Sequence, residues 1–134
     1  MNPALWWQQL GLVMAGGALG AGLRFWIGGV MLRQFGNTLP YGTMAANFLG
    51  AFVAGFLLVW LEHRGAAALY LRAFLIVGVL GGLTTFSSLM MESLIFFRSG
   101  RSAALLANLG ISLAGGLVLV ALGAWLALQL RPAS

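Results

Sequence analysis

Four long apolar runs, at about 6–32, 41–61, 69–97 and 103–130, are separated by short polar stretches. Each run meets or exceeds the roughly 20 residues that a helix needs to cross a bilayer. The pattern therefore predicts an all-α membrane protein of four transmembrane helices, forming one domain over residues 1–134. Charged residues mark the connections, which run from Arg33 to Pro40, through Glu62-His63-Arg64-Gly65, and from Arg98 to Arg101. These loops leave no room for a second domain. The first run lacks a basic leading region, and its glycines and Arg24 interrupt the apolar core of a secretory signal, so it reads as a mature helix.

The third run departs from the pattern. Gly78-Val79-Leu80-Gly81-Gly82-Leu83-Thr84-Thr85-Phe86-Ser87-Ser88 sets a glycine pair and four hydroxyls in the middle of an apolar span. Such backbone is tolerated at membrane depth only where protein buries it or a polar cavity borders it. The third helix is expected to be broken near Gly81–Thr85. An interruption at Gly81-Gly82 frees carbonyl oxygens, which with hydroxyls are hard ligands suited to an alkali cation. A glycine kink satisfied by the Thr84 and Thr85 side chains is the structural alternative.

Further polar residues at membrane depth are Arg24, Thr43, Asn47, Glu92, Asn108 and Ser112, and such groups are costly enough to be functional candidates by default. The Asn47 amide either donates to an anion or docks a neighbouring helix. Asn108 and Ser112 lie one turn apart and either line a polar track or bond within their own helix. Arg24 either snorkels to the headgroups or concentrates anions in a vestibule. Glu92 pairs with an arginine, caps freed backbone or carries protons, and the structural role is preferred because no His or Lys stands near enough in sequence to build a relay. Phe86 offers a positive ring edge to an anion or simply packs. Small residues at Gly16/Gly20, Gly78/Gly82 and Ser112/Gly116 allow helices to approach closely.

Composition narrows the classes. With 61% hydrophobic and 7% charged residues and a mean hydropathy of +0.99, the chain lacks the polar exterior of a small soluble domain. Its net charge of +5 comes from arginines scattered over loops and span ends, which argues against nucleic acid as a partner. One histidine, no cysteine and no aspartate leave too few ligands for a transition metal. No nucleophile and base form a plausible pair, so an enzyme is not expected. Arg33, Arg98 and Arg101 lie on one side of the membrane and Arg64, Arg72 and Arg131 on the other. That balance gives almost no preferred orientation. Two copies inserted oppositely can then pair as an antiparallel, dual-topology homodimer.

Gly17-Ala18-Leu19-Gly20-Ala21 with Arg24-Phe25, Tyr41-Gly42-Thr43-Met44-Ala45-Ala46-Asn47-Phe48-Leu49-Gly50, and Gly81-Gly82-Leu83-Thr84-Thr85-Phe86-Ser87 with Glu92 together resemble the Fluc (CrcB) fluoride-channel family over essentially the whole chain. The resemblance implies a passive, fluoride-selective channel in the bacterial inner membrane that exports cytoplasmic fluoride, built as an antiparallel homodimer with two pores. It implies pore roles for Asn47 and Phe86, a vestibule role for Arg24 and a polar track at Asn108 and Ser112. It matches Glu92 to the third-span glutamate. It also implies a structural sodium ion at the dimer interface, held by backbone oxygens of Gly81 and Thr84 from both subunits. Stripping water from fluoride requires close donors, and the hydroxyls of Thr43, Ser87 and Ser88 join the pore set on that ground. Two departures from the family pattern are Leu89, where a second pore phenylalanine usually stands, and Gly116, where a further hydroxyl is common. A small dual-topology proton-coupled multidrug exporter using Glu92 remains the alternative, and a non-transporting helical subunit is a third reading.

Overall fold

The computed structural model describes residues 2–62 and 64–130. The readings made at His63 and Arg131 fall outside the described residues. Helix α1 covers Pro3–Phe35 and α2 covers Tyr41–Trp60. The third run is composite: α3 (Ala67–Leu71), a π-helical stretch (Arg72–Leu80), the short α4 (Gly81–Leu83) and α5 (Phe86–Arg98). Helix α6 (Ser102–Gln129) completes the chain. Four helical segments are long and apolar enough to cross a membrane, Pro3–Phe35, Tyr41–Trp60, Ala67–Arg98 and Ser102–Gln129. Their ends differ from the expected spans by no more than three residues, because the breaks fall at residues whose local chemistry stops a helix. The Asn2 side chain accepts the Ala4 N–H at 3.1 Å and Pro3 opens the first turn. Gly36, at φ 71°, closes α1. At the end of α5, Gly100 (φ 69°) lets its own N–H reach the Phe97 carbonyl and that of Arg101 reach Phe96, a paired C-terminal cap.

Packing follows a two-by-two plan. Helix α1 lies along the π-helical stretch, and α2 lies along α6. Glycine makes both approaches possible. A Cβ at Gly16 or Gly20 would overlap the Phe74 or Val79 carbonyl oxygen, and one at Gly82 would overlap that of Gly17. In the second pair, Gly55 faces the Val120 carbonyl and Gly123 that of Phe52. The close approaches expected at Gly16/Gly20 and Gly78/Gly82 are present, whereas Gly116 faces open space.

Two cross-links fix which ends lie together. Tyr70 donates to Gln8 Oε1 at 3.3 Å, placing the start of the third span beside the start of α1. Arg101 donates to the Thr38 carbonyl at 3.0 Å, joining the first and third connections at the opposite end. A small core of Ile27, Ala46, Leu57, Leu61, Leu80 and Leu83 sits between the layers. Only 11–33% of the most apolar stretch of each span is buried. The remainder turns leucine, phenylalanine and tryptophan outward, which suits lipid or another copy rather than water.

Candidate functional site

The interruption falls at Thr84-Thr85, at the far end of the Gly81–Thr85 stretch, and leaves the glycine pair itself helical. Gly81 is helical (φ −62°, ψ −36°), as is the rest of Gly81–Leu83. Thr84 (φ −87°, ψ 153°) and Thr85 (φ −152°, ψ 119°) are the extended residues, and α5 starts immediately after them. Gly82 is required by the carbonyl of Gly17 pressing on it, so close packing accounts for that glycine.

The N–H and hydroxyl groups of the extended pair and the carbonyl of Thr85 each have a partner. Both the N–H and the hydroxyl of Thr84 donate to the Leu80 carbonyl, at 2.9 and 2.8 Å. The Thr85 hydroxyl oxygen accepts the Ser88 N–H at 3.1 Å and so caps α5. The Thr85 backbone is held from outside the span. Asn47 Oδ1 accepts its N–H at 2.7 Å, and Asn47 Nδ2 donates to its carbonyl at 3.0 Å. In a continuous helix that N–H would bond the Gly81 carbonyl. Its diversion to Asn47 releases the Gly81 oxygen from its helical partner, at a residue exposed on the surface of the chain.

Asn47, Gly81, Thr84, Thr85, Phe86, Leu89 and Gly116 border one open cleft of about 490 Å³. The Phe86 ring stands 73% exposed at its edge, while Leu89 is buried in its wall. A second hollow of about 300 Å³ brings Arg24 together with Thr43 and Ser88. Thr43 also borders a third hollow of about 360 Å³, with Glu92 opposite. Its hydroxyl donates to Glu92 Oε1, while Oε2 is buried without a partner among the described residues. The observed partner of Glu92 is thus a threonine of α2, a pairing that the expectations for this residue did not include.

Asn108 and Ser112 of the fourth span line none of these clefts. Asn108 is fully buried, and its Nδ2 donates to Ser93 Oγ at 3.2 Å. Ser93 in turn donates to the Leu89 carbonyl at 2.7 Å. Ser112 is half-buried one turn further along α6. Ser87 is exposed, and its hydroxyl lies 3.2 Å from that of Thr85. Sequence reasoning missed Ser93 and the Thr85 main chain. The signal for Ser93 was available, because a serine one turn after Leu89 on the face toward α6 is a polar residue at membrane depth like the others.

Residues 11–124 match the family described as "CrcB-like protein, Camphor Resistance (CrcB)". The chain belongs to the CrcB-like family. That match reaches into all four apolar spans and includes every residue placed in the clefts above. Among curated relatives, the fluoride-specific ion channel FluC of Xanthomonas axonopodis pv. citri (strain 306) is 59% identical over 124 residues, covering 92% of this chain and 93% of that protein. The FluC of Xylella fastidiosa (strain 9a5c) is 58% identical over 124 residues, covering 92% and 87%. The FluC of Rhizobium meliloti (strain 1021) is 42% identical over 118 residues, covering 88% and 93%. With four spans and CrcB-like membership, the chain is a multi-pass membrane protein of an ion-channel family and not an enzyme.

Proposed function

We propose that the chain is a passive fluoride-selective channel that lets cytoplasmic fluoride leave the cell across the inner membrane. The observation that carries this reading is the cleft in which a fixed amide, two threonine residues and an aromatic edge meet at an extended pair inside an apolar span. The names of relatives up to 59% identical support the choice of anion.

Fluoride is small and holds its water tightly, so a path for it must replace hydration with close donors while staying too narrow for larger anions. Phe86 projects from the first turn of α5, where the positive end of the helix dipole lies, and its ring edge adds partial positive charge. The hydroxyls of Ser87 and Ser88 each lie 3.2 Å from Thr85 Oγ1, and this group supplies donors beside it. Arg24, with Thr43 and Ser88 in the neighbouring hollow, raises the local anion concentration at the approach. Glu92 stays a structural partner of Thr43. Asn108 and Ser112 belong to a second polar track on α6, which Ser93 extends toward Leu89.

A structural sodium ion is part of the reading. Neutral backbone oxygens are the donors an alkali cation prefers, and the Gly81 carbonyl, released from its helical partner and exposed, fits that requirement. Gly81 and Thr84 of one chain offer two such oxygens, so a second copy completes the set. When bound, the ion would supply fixed positive charge between two chains. The outward apolar surface and the arginine balance favour an antiparallel pair.

The test is fluoride release from loaded liposomes containing only this protein, with and without a proton gradient, for the wild type and Glu92→Gln. A passive channel releases fluoride down its own gradient in both proteins, whatever the proton gradient. Release that requires the proton gradient and disappears in Glu92→Gln would replace this reading with proton-coupled export.

A further inference from the structure

We infer that Asn47 is a positioning residue whose side-chain amide holds Thr85 extended, and so sets where the third span stops being helical and where Phe86 begins again. The claim concerns the backbone; only its consequence for flux rests on the channel reading.

The geometry carries the argument. In a helix, the N–H and C=O of one residue point in opposite directions along the axis. In an extended residue both point to the same side, as in the hydrogen-bonded pairs of a sheet. A carboxamide also presents one donor and one acceptor side by side. Asn47 engages both groups of Thr85 at once, with Oδ1 on the N–H at 2.7 Å and Nδ2 on the carbonyl at 3.0 Å. That double contact is possible only while Thr85 remains near φ −152° and ψ 119°. Asn47 therefore stands in for the neighbouring strand that an extended residue would otherwise need, inside a span where water is not available to take its place.

Three consequences follow from the same pair. The Gly81 carbonyl loses its helical donor. The Thr85 hydroxyl becomes free to cap Ser88, which fixes the first turn of α5. Phe86 then occupies the first position of that helix and borders the cleft that Asn47 also lines. Leu and Asp separate the two bonds: Asn47→Leu removes both, whereas Asn47→Asp keeps an acceptor for the N–H and removes the donor to the carbonyl.

The experiment is hydrogen–deuterium exchange of the full-length protein in lipid nanodiscs, resolved to Thr85 and Ser88, beside fluoride release from liposomes. In the wild type the Thr85 amide is expected to be protected although no backbone acceptor holds it. In Asn47→Leu, exchange at Thr85 and Ser88 should rise by on the order of tenfold, as expected when a protecting bond is lost. Asn47→Asp should retain much of the Thr85 protection. An unprotected Thr85 amide in the wild type would overturn the inference without any variant having to fold. So would an Asn47→Leu protein that loses fluoride release while Thr85 and Ser88 stay protected, since Asn47 would then act on the ion alone. Wild-type protein that protects Thr85 but releases no fluoride would sink the channel reading and leave this inference standing.

Discussion

Ser93 and Asn108 show how one hydroxyl can govern a buried amide. Ser93 gives its proton to the Leu89 carbonyl, so its oxygen accepts from Asn108 Nδ2, while Asn108 Oδ1 has no partner among the described residues. Ser93→Ala leaves the fully buried amide without its acceptor and is expected to cost about 1–3 kcal/mol. The Ser93→Ala/Asn108→Leu double variant, with no amide left to satisfy, should lose less than Ser93→Ala alone. Thermal unfolding in detergent compares them, and a double variant less stable than the single one would contradict the account. Leu89→Phe is expected to keep the fold only with local repacking, because Leu89 is buried at 6% exposure and a ring needs more room; overpacking of about 1–3 kcal/mol is the scale, read in the same unfolding assay. The residue types at membrane depth were legible from sequence because apolar context makes each one conspicuous. Their sorting was not, since the neighbours that bring Asn47 to Thr85 and Asn108 to Ser93 lie 38 and 15 positions away.

Among the elements, the spans were legible because a run of twenty apolar residues has few alternatives, and their ends carry recognisable caps at Asn2, Gly36 and Gly100. The π-helical stretch was not. Nothing in Arg72–Leu80 favours a wider helix by itself; the stretch lies where Phe74 and Val79 carbonyls press against Gly16 and Gly20 of α1. The glycine pair at Gly81-Gly82 does not itself interrupt the helix, for a related reason: glycine signals close approach as readily as it signals a break. Gly20→Ala would drive a methyl into the Val79 carbonyl oxygen, which is backbone and has nowhere to go. It is expected to destabilise by about 1–3 kcal/mol or more. Gly11→Ala, with open space around it in the same helix, should be neutral or stabilising by up to about 1 kcal/mol. Unfolding midpoints of the two variants, side by side, check the contrast; equal effects would mean that α1 does not pack as described.

For the whole molecule, the balance of arginines between the two ends predicts insertion in both orientations. Tyr70 on Gln8 and Arg101 on Thr38 assign the connections to ends. Because the chain has no cysteine, Asn37→Cys in the exposed first connection provides a unique thiol. A membrane-impermeant thiol reagent should label that site from both faces of the membrane, and labelling from one face alone would rule out dual topology. The central claim, however, is selective passive movement of fluoride, and the most direct measurement is an electrode record of fluoride and chloride release from liposomes loaded with both ions and containing the wild-type protein alone. The account predicts fast loss of fluoride with chloride retained. Well-folded protein that releases no fluoride, or releases chloride equally fast, would contradict it.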